Sequence, residues 1–334
     1  MIVYYKVKGK NNPKFQVIDP SGCMPFRGII EIGCRLFRRN FTLAILRRRN
    51  MEEFIRLNDG ILMPRLGQGT WYMGEDPKKR EVEIASLKLG IELGMKLIDT
   101  AEMYGEGLAE ELIGEALEEQ NREELFIVSK VYPYNAGRKN IFNSCKKSLE
   151  RLGTDYLDMY LLHWRGRVPL SETVACMEEL KKEGLIRNWG VSNFDTDDME
   201  ELLSVPSGEN CRVNQVLYNL GSRGIEYDLL PFMKSNGIAT MAYCPIAHDR
   251  NTRNLIAEET SVQEISSKYG ISPEQLMLAF VLSNEGVCAI PKASNPQHVV
   301  QNAAAIDITL SPEDLARLAV DFPSPKRKMS LDML

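Results

Sequence analysis

The stretch Tyr160-Leu161-Leu162-His163-Trp164 is a short apolar run that ends in a histidine. Two earlier apolar runs end in a charged residue, one in Asp99 and one in Lys130, and Tyr104 follows Asp99 five residues later. A parallel (β/α) barrel points all its strands the same way, so residues at the ends of successive strands meet at one rim. The sequence therefore predicts that Asp99, Tyr104, Lys130 and His163 lie close together.

Eight such runs alternate with helix-like stretches after Met51. They cover residues 66–69, 96–99, 125–130, 157–163, 187–192, 213–218, 239–244 and 287–290. Eight strand–helix units in about 250 residues match a closed barrel better than an open doubly wound sheet. We expect an α/β fold, a (β/α)8 TIM barrel, in which residues 51–334 form one domain.

Helical periodicity and turn residues complete this fold. Helices are expected over residues 78–93, 108–117, 139–152, 171–182, 197–203, 227–235, 261–282 and 296–304. Asn58-Asp59-Gly60 lies between two short apolar runs and is typical of the turn of an N-terminal β-hairpin. Ser311-Pro312-Glu313-Asp314 predicts the start of an extra C-terminal helix that ends near residue 320.

The first strand is not followed by a Rossmann glycine motif. The nearest string is Gly67-Gln68-Gly69-Thr70, which lacks the third glycine of Gly-x-Gly-x-x-Gly. A dinucleotide site of the Rossmann type is therefore not expected.

The first fifty residues differ in charge from the rest of the chain. They contain eleven Lys and Arg residues and two acidic residues, although the whole chain has a formal net charge of −5. The main body is therefore acidic, which argues against nucleic acid as its partner. We interpret residues 1–50 as a basic extension that is poorly ordered or precedes a true start at Met51. The alternative is a basic amphipathic arm that binds a membrane surface.

Cysteine and histidine usage limits the other classes of site. The seven cysteines are an odd number without a Cys-x-x-Cys pair, which is typical of a reducing compartment, and we expect a cytoplasmic protein. The three histidines are scattered, so a metal site is not expected. No apolar run reaches about 18 residues, so no transmembrane segment is expected. We expect a monomer whose partner is a small molecule.

The four polar side chains at the predicted rim suit the protonation of a carbonyl oxygen while a hydride arrives from elsewhere. Tyr104 is the candidate proton donor, but a free tyrosine has a pKa near 10. Because a neighbouring cation stabilises the phenolate, Lys130 is expected to lower the pKa of Tyr104. Asp99 is expected to hold Lys130 charged and in place, and a neutral His163 to orient the carbonyl.

Several motifs resemble those of the aldo-keto reductases. They are Leu97-Ile98-Asp99-Thr100-Ala101-Glu102-Met103-Tyr104-Gly105, Lys130 after Phe126-Ile127-Val128-Ser129, Leu161-Leu162-His163-Trp164, residues 187–194, Asn214-Gln215-Val216 and Ala289-Ile290-Pro291-Lys292-Ala293-Ser294. The resemblance runs in order from residue 54 to about residue 320, and together the motifs are very specific. It implies a barrel that binds NADP(H) and a catalytic tetrad of Asp99, Tyr104, Lys130 and His163.

The same resemblance implies the residues that bind the cofactor. Ser192, Asn193 and Gln215 match the side chains that hold the carboxamide of the nicotinamide, and Tyr243 matches the aromatic residue that stacks under its ring. The expected set also includes Thr70, Trp71, Asp99, Pro245, Ile246, Lys292, Ala293, Ser294, His298 and Asn302. A flat aromatic face beside amide-recognising groups suits a neutral heteroaromatic ring.

Lys292 decides the expected choice of cofactor. A cation there can meet the 2′-phosphate of NADP, and Ser294 can add a hydrogen bond. A common family pattern has serine directly after the lysine and arginine six residues past it, where this chain has Ala293 and His298. Because the charged fork of an arginine is missing, we expect NADP(H) to be favoured with NAD(H) accepted as well.

Aromatic residues near the rim are candidates for the substrate pocket. Together with the two catalytic residues nearest the carbonyl, the set is Trp71, Tyr72, Tyr104, Tyr132, His163, Trp164 and Phe194. The segment after Tyr243 and the tail after Phe322 are short. The sequence therefore predicts an open pocket that suits small aldehydes, ketoses or keto acids.

Two other classes of function share parts of this pattern. A non-catalytic regulatory subunit keeps the barrel and the cofactor, as in the potassium-channel β subunits that resemble this family. A metal-dependent barrel hydrolase requires paired metal ligands, which scattered histidines do not supply. The leading prediction is an NADPH-dependent oxidoreductase that reduces aldehydes and ketones to alcohols with Tyr104 as the proton donor.

Overall fold

The structure is a computed structural model that describes residues 53–334. Of the earlier residues it describes only the backbone of two short strands, β1 (Tyr5–Lys6) and β2 (Phe15–Gln16), which pair antiparallel. The chain divides into two compact units, Met1–Asn50 and Met51–Leu334. The arginine-rich residues 35–49 lie outside the described residues. The predictions that the extension is poorly ordered or binds a membrane surface fall on residues that the structure does not describe.

A small hairpin precedes the barrel, as the sequence predicts. Its strands are β3 (Phe54–Arg56) and β4 (Leu62–Pro64), and they pair antiparallel. Leu57 and Met63 are buried in one apolar cluster with the first residues of four barrel strands. The hairpin therefore covers the end of the barrel at which the strands begin, opposite to the rim that the predicted site occupies.

Eight parallel strands form the barrel, and each is hydrogen-bonded to the next in chain order. They are β5 (Gly67–Gly69), β6 (Leu97–Asp99), β7 (Phe126–Val131), β8 (Leu157–Leu162), β9 (Ile186–Ser192), β10 (Val213–Leu217), β11 (Ala239–Tyr243) and β12 (Val287–Ala289). Bridges from Leu66 to Ala289 and from Gly69 to Lys292 join the first strand to the last. All eight predicted strands are present, and the predicted TIM barrel is confirmed.

Helices cover the outside of the barrel and bury their apolar faces against the strands. They are α1 (Arg80–Glu92), α2 (Leu108–Leu117), α3 (Ile141–Leu152), α4 (Leu170–Lys182), α5 (Thr196–Ser204), α6 (Leu229–Ser235), α7 (Arg250–Glu258), α8 (Thr260–Tyr269), α9 (Pro273–Leu282), α10 (Pro296–Ala304) and α11 (Pro312–Asp321). None of the helices within residues 53–334 has the length and hydropathy that a membrane span requires.

Two helix predictions are wrong in detail. The single helix expected over residues 261–282 is two helices, because Gly270 adopts φ 66° after α8 and Ser272 caps α9 in a capping box. The segment after β11, expected to be a short loop, contains α7. Only Ile256 of α7 is buried, so this helix lacks an apolar stripe in the sequence. Its one local signal is Asp249, whose carboxylate caps the first turn.

Candidate active site

Lys130 lies at the centre of the candidate site. It is part of β7, its side chain is fully buried, and its ammonium group donates three hydrogen bonds. The acceptors are Asp99 Oδ2 at 2.8 Å, the Thr100 carbonyl oxygen at 2.8 Å and Tyr104 Oη at 3.0 Å. An ammonium group has three N–H donors, so each of them has a partner. The structure thus brings the predicted aspartate, tyrosine and lysine together.

Strand ends and one tight turn place these groups. Asp99 is the last residue of β6 and pairs with Val128 of β7, so Lys130 stands two residues further toward the same rim. Tyr104 begins a short 3₁₀ turn after β6 in which the three residues that follow it have positive φ. His163 directly follows β8, and its ring meets the Tyr104 ring edge-on, with 5.8 Å between the ring centroids.

Burial dominates the pKa of the Tyr104 phenol. It raises this pKa well above the usual range, and the negative charge of Asp99 acts in the same direction. The pKa of Tyr104 is therefore raised overall and not lowered as expected, because the cost of burying a phenolate outweighs the stabilisation that a neighbouring cation provides. The phenol stays protonated, which is the form that a proton donor requires.

Lys130 and Asp99 form an ion pair that is buried on both sides. Burial raises the pKa of Asp99 and lowers that of Lys130, while each partner opposes the shift of the other. Gln215 Nε2 donates a further hydrogen bond to Asp99 Oδ1 at 2.7 Å, which favours the carboxylate form. Buried ion pairs of this kind require that every polar atom be hydrogen-bonded. Both carboxylate oxygens of Asp99 and the ammonium group of Lys130 are hydrogen-bonded in this site.

His163 is neutral in this environment. Burial, followed by the positive charge of Lys130, lowers the pKa of His163 to about 2. Its Nδ1 atom is buried and has no hydrogen-bond partner among the described residues. A neutral imidazole has one N–H donor and one acceptor nitrogen. His163 can therefore hydrogen-bond a carbonyl oxygen beside Tyr104 without adding a second positive charge to the site.

Polar side chains of β9, β10 and β11, and of the residue directly after β9, form a second cluster at the same rim. Ser192 Oγ donates to the Gln215 carbonyl oxygen at 2.9 Å. Asn193 Nδ2 donates to Ser192 Oγ at 3.2 Å and to the His163 carbonyl oxygen at 3.3 Å. Tyr243 Oη donates to Asn193 Oδ1 at 2.9 Å. A half-buried aromatic ring with amide groups beside it fits a flat heteroaromatic ring that carries a carboxamide.

Backbone strain is concentrated in the loops at this rim. Six non-glycine residues of the described part of the chain have positive φ. Five of them follow the ends of barrel strands, namely Tyr72, Glu106, Asn193, Cys244 and Ala247. Such conformations cost on the order of 1–3 kcal/mol each and cluster at functional sites. Their distribution marks the same rim as the buried ion pair does.

The remaining residues predicted for the cofactor follow β5, β11 and β12. Thr70 Oγ1 donates to the Asp99 carbonyl oxygen at 2.9 Å. Lys292 Nζ donates to Ser294 Oγ at 3.3 Å, and burial lowers the pKa of Lys292. Of the others, Pro245 and Asn302 are buried, Ile246 and Ala293 are half-buried, and His298 is exposed. The structure brings Lys292 and Ser294 together, whereas His298 and Asn302 lie on α10.

Aromatic side chains flank the tetrad on two sides. Trp71 lies 6.4 Å from Tyr104 between ring centroids, and Tyr72 stacks on Trp71 at 4.7 Å. On the other side, Trp164 lies 4.9 Å from His163. These rings give the candidate site apolar walls next to the groups that would contact a carbonyl.

Two aromatic residues of these walls were not expected from the sequence. His248 stacks on Trp71 at 5.7 Å, and Tyr134 stacks on Tyr132 at 4.7 Å. Tyr132 in turn meets Trp164 edge-on at 6.0 Å. No motif marks His248 or Tyr134, and the only available signal was their position shortly after a strand end.

Phe194 does not line the site, and its assignment to the substrate pocket is wrong. Its side chain is fully buried in the main apolar cluster between strands and helices, together with Met199. Asp195 caps α5, so Phe194 stands directly before the cap and Met199 in the first turn. These are the positions of a hydrophobic staple, which fixes the direction in which the chain enters a helix.

Comparison with known proteins agrees with the fold and the site. The chain matches the model of the Aldo/keto reductase family over residues 65–320. It is 52% identical to methylglyoxal reductase YeaE of Escherichia coli (strain K12), over 85% of this chain and 99% of that protein. It is 34% identical to glyoxal reductase of Bacillus subtilis (strain 168), over 80% of this chain and 92% of that protein.

A solved structure shows the same similarity. The crystal structure of an aldo/keto reductase from Klebsiella pneumoniae in complex with NADP and acetate superposes with a TM-score of 0.82 at 50% identity. The match covers 84% of this chain and 99% of that chain.

The fold is a closed barrel that holds a buried lysine and aspartate and a half-buried tyrosine together at one rim. With these matches, it defines an NADP-dependent oxidoreductase that reduces small-molecule carbonyl compounds to alcohols. The chain belongs to the aldo-keto reductase family. The predicted family, enzyme class and NADP(H) cofactor are confirmed, and the comparisons give no support to a regulatory subunit.

Proposed function

We propose that this reductase acts on small 2-oxoaldehydes such as methylglyoxal and glyoxal, with Asp99, Tyr104, Lys130 and His163 as its catalytic residues. The observation that carries the catalytic assignment is the Lys130 ammonium group, which is within 3.0 Å of both Asp99 and Tyr104. Two relatives that are named for the reduction of methylglyoxal and glyoxal support the substrate class.

In this proposal Tyr104 gives its phenol proton to the carbonyl oxygen of the substrate. The developing phenolate lies 3.0 Å from Lys130 Nζ, whose charge stabilises it where it forms. Asp99 keeps Lys130 charged and fixed in position. Neutral His163 holds the same carbonyl oxygen by a hydrogen bond. Bound NADPH supplies the hydride for the carbonyl carbon.

The second cluster at the rim is proposed to hold the cofactor. Ser192, Asn193 and Gln215 would bind the carboxamide of the nicotinamide, and Tyr243 would offer its ring face. Lys292 with Ser294 would bind the 2′-phosphate. Other contacts are assigned to Thr70, Trp71, Asp99, Pro245, Ile246, Ala293, His298 and Asn302. The residues fit this cofactor because an aromatic face, amide groups and a cation are all available at one rim.

Consumption of NADPH with methylglyoxal, glyoxal, glucose and 4-nitrobenzaldehyde tests the substrate class. We expect kcat/KM for the two 2-oxoaldehydes to exceed that for glucose by at least about tenfold. The reason is that aromatic walls formed by Trp71, Tyr132 and Trp164 offer few hydrogen-bond partners. The hydroxyl groups of glucose would lose water there without new partners, whereas a 2-oxoaldehyde is small and carries no hydroxyl group. A higher kcat/KM for glucose would refute the substrate class, and no NADPH oxidation with any of the four would refute the function.

Lys292→Ala tests the assignment of the phosphate site. We expect KM for NADPH to rise by about tenfold and KM for NADH to change by less than about twofold, because only NADPH carries the 2′-phosphate that the cation would pair with. Lys182→Ala, at the exposed end of α4, is the matched control and should change neither constant. An equal rise in both constants would contradict the phosphate contact.

We also propose that residues 51–334 form the reductase and that residues 1–50 do not take part in the reaction. The family match, which begins at residue 65, supports this division. A chain that begins at Met51 should oxidise NADPH as fast as the full chain, and a loss of activity would contradict the proposal. We further propose that the protein is cytoplasmic, since the five described cysteines are free. We also propose that it is a monomer, which a measurement of its size in solution tests.

A further inference from the structure

Glu110 is a buried carboxylate that the proposed mechanism does not use. It lies in the first turn of α2, and its side chain is fully buried. Its Oε1 atom accepts a hydrogen bond from Ser129 Oγ at 2.5 Å, and its Oε2 atom accepts one from Arg151 Nε at 2.7 Å. These three residues, here called the Glu110 network, belong to α2, β7 and α3. One carboxylate therefore joins a barrel strand to two helices.

The strand end of the Glu110 network lies beside Lys130. Ser129 directly precedes Lys130 in β7, and successive side chains of a strand point to opposite faces. Lys130 reaches Asp99 and Tyr104 on one face, whereas Ser129 reaches Glu110 on the other. Burial lowers the pKa of Lys130, and Glu110 opposes this shift after Asp99 does. The network thus fixes the residue next to the lysine from the helix side of the barrel wall.

The helix end of the network lies beside the turn that carries Tyr104. This turn, Tyr104–Gly107, leads directly into α2. Arg151 packs closely against Gly107, because a Cβ atom at this glycine would lie 2.7 Å from both Cδ and Nε of the arginine. Glu106, in the same turn, has φ 55°. A strained turn of this kind persists only where its surroundings hold it in place, and Arg151 supplies part of that support.

We propose that Glu110 and Arg151 are positioning residues that hold the Tyr104 turn against β7, so that the Tyr104 phenol stays within hydrogen-bond distance of Lys130. That distance is 3.0 Å, and it joins two segments that the Glu110 network contacts on both sides. A misplacement of about 1 Å can lower a rate by about a hundredfold. This inference rests on the proposed function of the same site, since it requires Tyr104 to be the proton donor.

The test compares Glu110→Gln with Asp158→Asn. Glutamine keeps the size of the side chain and removes the charge that pairs with Arg151. Asp158 is the matched control, because it is also buried and pairs with an arginine, Arg122, at 2.7 Å. The arginine side chain is 21% exposed in both pairs, so the two pairs are equally shielded from water. Asp158 lies near the start of β8, at the end of the barrel opposite to the candidate site.

The main readout is a single turnover of bound NADPH with saturating methylglyoxal. The rate reports the chemical step, whereas the amplitude reports the fraction of folded enzyme. For Glu110→Gln we expect the rate to fall by about tenfold and the dissociation constant of NADPH to change by less than about twofold. Asp158→Asn should keep the rate within about twofold of the wild-type value, even where its amplitude falls.

Two further measurements separate positioning from a general effect on folding. Arg151→Met should slow the single turnover as Glu110→Gln does, and Arg151→Lys should restore part of the rate because it keeps a cation beside Glu110. Hydrogen exchange in residues 104–108 should become faster in Glu110→Gln and stay unchanged in Asp158→Asn. If Glu110→Gln does not fold, Ser129→Ala removes only the link to β7 and should slow the single turnover by about threefold.

A wild-type single-turnover rate in Glu110→Gln would overturn the proposal. An equal loss of rate in Asp158→Asn would overturn it as well, because any buried ion pair would then have the same effect. A slower step without faster exchange in residues 104–108 would overturn the positioning role. Failure of the proposed function looks different, because the wild-type protein would then oxidise no NADPH with methylglyoxal, or Tyr104→Phe would keep the wild-type rate.

Discussion

Tyr104→Phe is expected to remove carbonyl reduction and to leave NADPH binding intact. Phenylalanine keeps the ring that meets His163 edge-on and faces Trp71, but it has no proton to give. A positioned general acid contributes about 10²–10⁴-fold to a rate. We therefore expect kcat with methylglyoxal to fall by about a thousandfold, measured as NADPH oxidation, and the dissociation constant of NADPH to change by less than about twofold.

Tyr132→Phe is the matched control for this experiment. Tyr132 is also a tyrosine of the rim, but its ring contacts Tyr134 and Trp164 and it has no hydrogen bond to Lys130. Loss of its hydroxyl group should change kcat by less than about threefold. If Tyr104→Phe retained wild-type turnover, Tyr104 would not be the proton donor. If both variants lost activity equally, the effect would come from the aromatic wall and not from the proton.

Lys130→Met is expected to damage both stability and catalysis. The substitution leaves Asp99 buried, with Gln215 as its remaining side-chain donor. Removal of one partner of a buried ion pair costs about 3–5 kcal/mol, because the other charge stays behind without compensation. We expect a loss of that size in the free energy of unfolding, measured by urea denaturation near pH 8. Turnover should fall as for Tyr104→Phe, because no cation then stabilises the phenolate.

The stability loss in Lys130→Met should depend on pH in a defined direction. Burial already raises the pKa of Asp99, and removal of the cation raises it further. A carboxyl group whose pKa is higher in the folded than in the unfolded state destabilises the fold as the pH rises above its pKa in the unfolded state, which is about 4. This destabilisation grows until the pH passes the pKa in the folded state. The deficit should therefore be smaller at pH 5 than at pH 8. An equal deficit at both values would mean that a packing defect, and not the charge of Asp99, is responsible.

A second substitution separates the two effects of Lys130→Met. The double variant Asp99→Asn with Lys130→Met has no buried charge and keeps an acceptor for Gln215, so it should regain most of the lost stability and none of the activity. Lys234→Met is the matched control, because the Lys234–Glu285 pair is exposed on both sides. Its removal should change the free energy of unfolding by less than about 1 kcal/mol. If Lys234→Met lowered the free energy of unfolding as much as Lys130→Met does, burial of the ion pair would not explain the loss.

The barrel and the tetrad were predictable because their signals are local. Each barrel strand is a short apolar run, and Asp99, Lys130 and His163 stand at the end of such a run or directly after it. Once eight parallel strands are recognised, their geometry alone brings these residues to one rim. The helix α7 could not be found in the same way, because it buries a single residue and its sequence resembles a polar loop.

What the sequence determined by itself is therefore the order of the strands and of most helices, the family, and the position at one rim of the four residues proposed as the tetrad. The tertiary structure decided which way Phe194 points, that His248 lies against Trp71, and that burial raises the pKa of Tyr104. The physical reason is that periodicity and capping act between near neighbours in the chain. Desolvation, ring stacking and ion pairing depend on segments far apart in sequence, and only the closed barrel brings these together.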